Sequence, residues 1–231
     1  MSALRAPIPP QSPRATGAVI TTLRPVKTIY EYDHPLTVEE FERLPEGEGK
    51  QELHDGRVVE MAPVGGLHGA VALKLGAVLL AHVEQQSQQA GRRTGWVTTE
   101  TGYRLWPGRR ATRAPDVAFI GAERAPTPSP RRIVRAVPDL AVEVLSPDDR
   151  PGEVETKVQE YLDTGVRLVW VIDPFLEVLV YRPGQPIVRL ASDDSLTGED
   201  IVPGFSRPVR EVWPGDPAEF AADGGDGDDE G

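Results

Sequence analysis

The 231-residue chain contains no cysteine, which excludes disulfide bonds and thiolate metal ligands and favours a reducing compartment. We also recognise no segment that approaches the ~20 apolar residues of a membrane span, and no apolar core of a signal peptide at the N-terminus. These absences predict a cytoplasmic protein without a membrane partner. The length suits one domain with a sizeable core, plus tails.

Both ends of the chain are predicted to be disordered. Residues 1–30 form a Pro-rich arm with little periodicity, and residues 216–231 carry seven acidic side chains and no basic one. Such compositions bury too little apolar surface to offset the entropy lost on ordering. The folded domain is therefore expected over residues 31–215.

The net charge of −11 argues at first against a nucleic-acid partner, but its distribution argues for one. Residues 91–136 hold ten arginines, no lysine and three acids. The guanidinium fork matches phosphate oxygens, and local charge matters more than the total for a polyanion. A solvated surface is the structural alternative. The candidate phosphate contacts are Arg92, Arg93, Arg109, Arg110 and Arg113.

The rest of the chain is organised around residues 138–174. Apolar runs at 139–145 and 166–172 flank a stretch with helical spacing, from Gly152 to Thr164. Strand, helix and strand in this order are typical of a parallel pair joined by a right-handed crossover. Strands buried on both faces have nearly continuous apolar runs, as these do.

Local signals place further elements before this unit. Thr37 and Glu40 have the spacing of a capping box, which predicts a short helix. Asp55-Gly56 is a tight-turn pair, so residues 51–63 are predicted to form a hairpin. A 3.6-residue period predicts a long helix over residues 67–88, which Gly91 should end.

The remaining strands are predicted from alternation and turn residues. One strand is expected over residues 96–106 and the next over 112–120, starting near Pro115 or lying at an edge. Residues 125–130 are a loop. A hairpin follows, with strands at 176–182 and 187–190, and residues 193–213 form a capping segment with one short strand.

Two carboxylates, Asp116 and Glu143, interrupt these apolar strands. A buried carboxylate is costly unless it is paired or binds a metal, so a salt-bridged Glu143 is the alternative to a ligand. If the two strands are adjacent, the acids converge and repel, so either one of them is protonated or a cation neutralises both. Carboxylates without thiolates suit Mg²⁺ or Mn²⁺, which can activate water at a phosphodiester.

Lys157 lies at the border of the apolar stripe of the helix that follows Glu143. This position lets its ammonium reach the strand ends, where it could hold the attacking water or stabilise the phosphate; a surface lysine is the alternative. By spacing alone, Glu52 is expected to be exposed. His68 and His82 are expected to be packed or surface residues rather than ligands.

Several segments, in order, resemble one family. The chain resembles the Uma-two family of restriction endonucleases, within the PD-(D/E)XK nuclease superfamily, in the motifs RAPDVAFI, LAVEVLSP and K…Y…GV…W…DP. LTVEEFERLP, ELHDGRVVEMAP and IVPGFSRPV extend the resemblance to about residues 35–213. It implies an α/β (α+β) fold with a restriction-endonuclease-like core, a mixed central sheet flanked by helices and an added N-terminal hairpin. It also implies Mg²⁺-dependent hydrolysis of DNA, by a homodimer if both strands are cut.

The resemblance assigns roles by position. Asp116 and Glu143 match the motif acids, as catalytic residues and metal ligands, and Glu52 matches an acid that recurs in the family and is a further metal contact. The superfamily lysine should fall at Leu145, where the pattern is broken. Lys157 resembles its migrated substitute and is the third catalytic residue.

Three functions remain open. The first is a metal-dependent endonuclease. The second is a nuclease-fold nucleic-acid-binding or assembly module with a weakened site, since Leu145 breaks the motif. The third is an interaction protein whose acidic tail contacts a basic partner or shields the Arg-rich face.

Overall fold

The computed structural model describes residues 27–30, 32–45, 49–106, 108–126, 133–147, 149–174, 177–213 and 215. The predicted acidic tail, residues 1–26 of the predicted arm and most of the 125–130 loop therefore lie outside the described residues. In chain order the elements are β1 (Lys27–Tyr30), α1 (Val38–Phe41), β2 (Gln51–His54), β3 (Arg57–Met61), α2 (Gly66–Ala90), β4 (Gly95–Thr99), β5 (Gly102–Tyr103), β6 (Val117–Gly121), β7 (Ile133–Val134), β8 (Leu140–Val144), α3 (Pro151–Asp163), β9 (Leu168–Ile172), β10 (Val178–Tyr181), β11 (Val188–Leu190), β12 (Ser195–Thr197), β13 (Ser206–Pro208) and a 3-10 helix (Val209–Val212).

A mixed six-stranded sheet with the order β11-β10-β9-β8-β6-β4 forms the centre of the fold. β8 and β9 are parallel and are joined through α3, as the strand-helix-strand spacing predicts. β6 lies beside β8 and runs antiparallel to it, so the expected adjacency of the two acid-bearing strands is confirmed. The mixed sheet and its flanking helices confirm the predicted fold class.

The two faces of the sheet are covered by different helices. Val142 and Trp170 belong to the core cluster that includes the buried side chains of α2. Ala141 and Val169 belong to the cluster that includes Tyr161 of α3. Alternate residues of each strand thus face opposite helices, which explains why the apolar runs show little polar alternation.

α2 is longer than predicted and ends at Gly91, which has a φ of 63°. This left-handed conformation favours glycine, so the predicted stop is confirmed. By length and composition only, this helix could cross a membrane, because its most apolar 18-residue window has a mean hydropathy of 1.5. The sequence had predicted no such segment. The buried residues Val71, Leu75 and Leu79 of α2 pack in the sheet's core cluster, as is typical of a central core helix.

A small antiparallel sheet with the order β1-β3-β2 lies before the main sheet. Lys27–Tyr30, assigned by sequence to the disordered arm, instead pairs with β3 as β1. Asp55 and Gly56 have φ angles of 48° and 83° and form the predicted hairpin turn. The backbone N–H of Gly56 donates to the carbonyl of Arg110 at 2.8 Å, which ties this sheet to the segment leading to β6.

Two further predictions, both on strands, differ from the structure. The single strand expected over residues 96–106 is β4 and β5, because Glu100 adopts a φ of 47° and breaks the ladder. β5 then leaves the main sheet and pairs in parallel with β7. The capping segment contains a hairpin of two short strands, β12 and β13, where one strand was expected. The β10–β11 hairpin is confirmed.

Candidate active site

Three buried carboxylates lie at the edge of the central sheet where β6 begins and β8 ends. Glu52, Asp116 and Glu143 are 2%, 4% and 7% exposed. Glu52 comes from the small sheet, Asp116 directly precedes β6, and Glu143 is in β8. Three buried acids in one region require compensating charges or hydrogen bonds.

Asp116 lies beside Glu143 because of the strand register, in which Val117 pairs with Val142. Its Oδ2 accepts the backbone N–H of Val144 at 2.8 Å. Its Oδ1 accepts a hydrogen bond from Lys50 Nζ at 2.7 Å. His68 Nε2, in the first turn of α2, lies 3.2 Å from Oδ2.

Glu143 is held by α3, the crossover helix of the strand-helix-strand unit. Lys157 Nζ donates to its Oε2 at 2.7 Å, and the Tyr161 hydroxyl donates to its Oε1 at 2.6 Å. Lys157 and Tyr161 are one helical turn apart and share a face. Leu145 belongs to the core cluster on this side of the sheet, so an ammonium from α3 reaches the side of the sheet that a lysine at position 145 would occupy.

Glu52 completes the cluster, and the expectation that it is exposed was wrong. The segment before β6 covers β2, and the backbone N–H of Ala114 donates to Glu52 Oε1 at 2.9 Å. Lys157 Nζ lies 3.8 Å from the same oxygen. His54 Nε2 lies 2.7 Å from Oε2. Lys157 thus bridges Glu52 and Glu143, the two acids that flank it.

The surroundings shift the pKa values of the three acids in different directions. Burial would raise the pKa of Asp116, but the His68 hydrogen bond and the charges of Lys50 and Lys157 outweigh it and hold the pKa below its ordinary value. The pKa of Glu52 is also lowered, because Lys157, the His54 hydrogen bond and Arg113 outweigh burial. Burial and the neighbouring Asp116 raise the pKa of Glu143 despite Lys157.

Lys157 is kept charged by this environment. Burial would lower the pKa of Lys157, but Glu143, Glu52 and Asp116 outweigh it and raise the pKa above its ordinary value. A charged ammonium in a partly dry site can stabilise negative charge on a bound group.

The carboxylate oxygens of this cluster are ligands that suit a hard divalent cation. Asp116 and Glu143 offer adjacent carboxylates without thiolates, as Mg²⁺ and Mn²⁺ prefer. Within the part of the chain that the structure describes, no group of three or more His, Asp or Glu side chains is assembled as a metal cage. An ion held by Asp116 and Glu143 would compete with the ammonium groups of Lys50 and Lys157, which lie 2.7 Å from these carboxylates.

The five predicted phosphate-binding arginines separate into three groups. Arg113 is wrong as a phosphate contact, because it is 7% exposed and its Nε donates to Glu160 at 2.7 Å. Arg92 and Arg93 are exposed but precede Gly95, which pairs with Gly121 at the far end of β6. They lie about 15 Å along the strand from Asp116.

Arg109 and Arg110 are exposed on the loop that leads to Asp116. The Arg109 guanidinium lies 5.5 Å from the Trp106 ring, and Arg93 lies 5.0 Å from the Trp96 ring. Arg109 and Arg110 are therefore exposed side chains within seven residues of Asp116, the acid that this loop leads to.

Sequence reasoning missed Lys50, His68 and Tyr161 as site residues. His68 was expected to be merely packed or exposed, yet it is buried against Asp116. Tyr161, four residues after Lys157, could have been found from its helical spacing. Lys50 is 66 residues from Asp116, and no local pattern links them. His82, as expected, is a surface residue, whose Nε2 lies 2.9 Å from the Pro203 carbonyl.

The mixed central sheet and its flanking helices define a nuclease-like α/β fold. The chain belongs to the Uma2 family, whose description is "Putative restriction endonuclease" and whose model matches residues 38–210. A solved structure described as a "putative nuclease belonging to DUF820", from Anabaena variabilis, is 24% identical and has a TM-score of 0.65. The match covers 77% of this chain and 97% of that one. No curated protein matches the chain.

Proposed function

We propose that the protein is a metal-dependent endonuclease that hydrolyses phosphodiester bonds in DNA. The observation that supports this most is Lys157, which lies 2.7 Å from Glu143 and 3.8 Å from Glu52 beside the buried Asp116. Several buried charged side chains together stabilise a fold less than apolar side chains of similar volume would. Clusters of this kind with shifted pKa values occur preferentially at functional sites.

Asp116 and Glu143 would hold Mg²⁺ or Mn²⁺, with Glu52 as a further contact. When bound, such an ion supplies Lewis acidity and lowers the pKa of a coordinated water. Lys157 stabilises the charge that develops on the phosphate and orients the attacking water. Tyr161 and Glu52 position Glu143 and Lys157. Arg109 and Arg110 hold the flanking phosphates electrostatically.

A second candidate is a nucleic-acid-binding or assembly module with a weakened site. The two ammonium groups that already neutralise Asp116 and Glu143 support it, at 2.7 Å each. A divalent ion must displace or share these contacts. If the ion binds only weakly, the protein would still bind nucleic acid but would not cleave it.

Plasmid nicking separates the two candidates. Purified protein is incubated with supercoiled DNA and Mg²⁺ or Mn²⁺, with EDTA as the metal-free control. Glu143→Gln keeps the shape of the side chain and removes its charge, and the exposed Glu84→Gln on α2 is the matched control. We expect the wild type and Glu84→Gln to nick and Glu143→Gln to bind without nicking. Retention in a gel shift without nicking by any variant would support the binding module instead.

We further propose a homodimer, since cutting both strands of a duplex usually requires two sites. Sedimentation measured over a range of concentrations tests this. A monomer that cuts both strands in one binding event would contradict it.

A further inference from the structure

The N-terminus of α2 points its first backbone N–H groups toward solvent beside the candidate active site. Gly65, the residue before the helix, makes no side-chain capping hydrogen bond, and the first turn contains no acidic residue. Gly65 and Gly66 are exposed, and a Cβ at either position would meet nothing within 4 Å. A 25-residue helix therefore presents the positive end of its dipole uncapped in open space.

A second observation comes from His68, in the first turn of the same helix. The side chain is 8% exposed and its Nε2 lies 3.2 Å from Asp116. Its Nδ1 is buried and has no hydrogen-bond partner among the described residues. Helical side chains lean back over the turn that precedes them, which directs the imidazole toward the N-terminal turn of α2. An unpartnered buried polar atom is costly unless a ligand or a water reaches it.

Among the described residues, Asp116 does not accept hydrogen bonds from the uncapped N–H groups of α2. Its two oxygens are engaged by Lys50, by His68 and by the backbone N–H of Val144. No first-turn N–H of α2 is bonded to Asp116 in the described structure. The helix end and the carboxylate thus face the same region without satisfying each other.

We propose that the N-terminus of α2 is a binding subsite for a phosphate group of the nucleic-acid strand, next to the phosphate that is cleaved. The backbone N–H groups of Gly66 and Leu67 bind the phosphate oxygens. A water molecule that donates to His68 Nδ1 and to a phosphate oxygen satisfies both acceptors. This inference rests on the proposed nucleic-acid function and adds a defined place for the strand beside Asp116.

The absence of a side chain at positions 65 and 66 matters for this subsite. Phosphate groups approach backbone amides closely, and the two glycines leave that approach open. The aliphatic neighbour Val64 is 43% exposed and provides no competing charge. Specificity is for phosphate chemistry and not for base sequence, because backbone donors contact only the sugar-phosphate chain.

Gly66→Pro and Gly66→Ala form a matched pair for testing the subsite. Proline is favoured at the first helical position and removes one N–H, and Gly65 already has the φ of −67° and ψ of 158° that a following proline requires. Alanine fills the same open space and keeps the N–H. Both variants should have unchanged or slightly raised unfolding midpoints, so any difference between them reports the missing donor.

Two probes are used in EDTA, so that cleavage plays no part. Inorganic phosphate is titrated into ¹⁵N-labelled protein, with chloride at equal ionic strength as the control. We expect saturable shifts of the Gly66 and Leu67 amides in the wild type and of the first-turn amides in Gly66→Ala, with about tenfold weaker binding in Gly66→Pro. A short DNA duplex should also bind about five- to tenfold more weakly to Gly66→Pro than to Gly66→Ala, and a duplex with an uncharged methylphosphonate backbone should bind both equally.

First-turn amides that respond to phosphate no more than to chloride would overturn the proposal, as would equal phosphate and duplex binding by the two variants. A phosphate response without any difference in duplex binding would assign the subsite to free phosphate and overturn the strand assignment. The protein could fail to nick DNA with any metal while Gly66→Pro still binds phosphate and duplex more weakly than Gly66→Ala. That result would reject the endonuclease and would leave the subsite as part of a nucleic-acid-binding module. The two failures are therefore distinguishable.

Discussion

Lys157 Nζ lies 2.7 Å from Glu143 Oε2 although the two residues are 14 positions apart in the chain. The crossover helix α3 brings the ammonium back over the strand that carries the carboxylate. The resemblance noted in the sequence predicts a lysine on the strand itself, two residues after the acid, where this chain has Leu145. In the structure the ammonium beside Glu143 comes from α3 instead.

Removal of this ammonium should destabilise the protein. Lys157→Met leaves Glu143 and Glu52 buried with one cation fewer, and breaking a buried pair typically costs about 3 kcal/mol. Urea unfolding measures this loss in the free energy of unfolding of Lys157→Met. The control is Lys74→Met, since Lys74 is an exposed lysine on α2. The double variant Lys157→Met/Glu143→Gln should recover part of the loss. Equal midpoints for the two single variants would show that the pair contributes nothing to folding.

The Tyr161 hydroxyl is predicted to be a structural support of Glu143. It donates to Glu143 Oε1 at 2.6 Å inside the core, and its loss leaves a buried carboxylate with one hydrogen bond fewer. Tyr161→Phe should lower the free energy of unfolding by about 2 kcal/mol. The half-buried Tyr181→Phe is the control, with an expected change below about 0.5 kcal/mol. Similar losses in both variants would contradict a specific role for the Tyr161 hydrogen bond.

Arg110 and Arg113 should have opposite phenotypes although both lie in the Arg-rich stretch. Arg113→Met removes the guanidinium that pairs with Glu160 and lies 3.5 Å from Glu52, so stability should fall by about 3 kcal/mol. Arg110 is exposed, so Arg110→Met should keep stability but weaken nucleic-acid binding.

Fluorescence anisotropy with labelled DNA at several salt concentrations measures the second effect. Loss of one phosphate contact lowers the slope of log K against log salt by about 0.9. An unchanged slope for Arg110→Met would remove Arg110 from the phosphate contacts.

The architecture could be predicted because its signals are local. Thr37 and Glu40 are three residues apart and form the expected capping box, and Asp55-Gly56 is a turn within two residues. The parallel β8–β9 pair follows from two apolar runs, at 139–145 and 166–172, that flank one helical stretch. In each case the residues that decide the conformation lie within one short segment of the chain.

The burial of the site could not be predicted in this way. Glu52 is buried because a segment 62 residues away donates the Ala114 N–H to it. Arg113 lies in an Arg-rich stretch, yet tertiary packing directs it inward to Glu160. Such contacts are set by the docking of the small sheet on the main one, about which periodicity carries no information. The roles proposed for Asp116, Glu143 and Lys157 rest on their positions in the predicted strands and helix and on the ordered family motifs.

The capping box of α1 should be visible in acid titrations. The pKa of Glu40 is lowered from 4.5 to about 2, first by the Thr37 backbone N–H, then by the Thr37 hydroxyl and by His34. Because the folded pKa is depressed, the stabilisation by Glu40 is complete above pH 4.5 and is lost as the pH falls toward 2.

Carboxyl ¹³C NMR of Glu40 measures this pKa directly. Thr37→Val removes the hydroxyl and should raise the midpoint toward 4.5. Thr37→Ser keeps the hydroxyl and should leave the midpoint near 2. A midpoint near 4.5 in the wild-type protein would show that the capping box does not form in solution.

The acidic tail is predicted from its composition to weaken nucleic-acid binding. Residues 216–231 carry seven acids, which compete with phosphate for the exposed arginines. Deletion of these residues should raise the affinity for a DNA duplex severalfold at low salt, and the gain should disappear at high salt because exposed charges are screened.

A variant in which the seven acids are replaced by Asn and Gln keeps the length of the tail and separates charge from excluded volume. It should match the deletion in an anisotropy titration. If the deletion and the neutral tail both leave DNA affinity unchanged, the tail does not shield the arginines. A basic protein partner, lost in both variants, would then be the function to test for these acids.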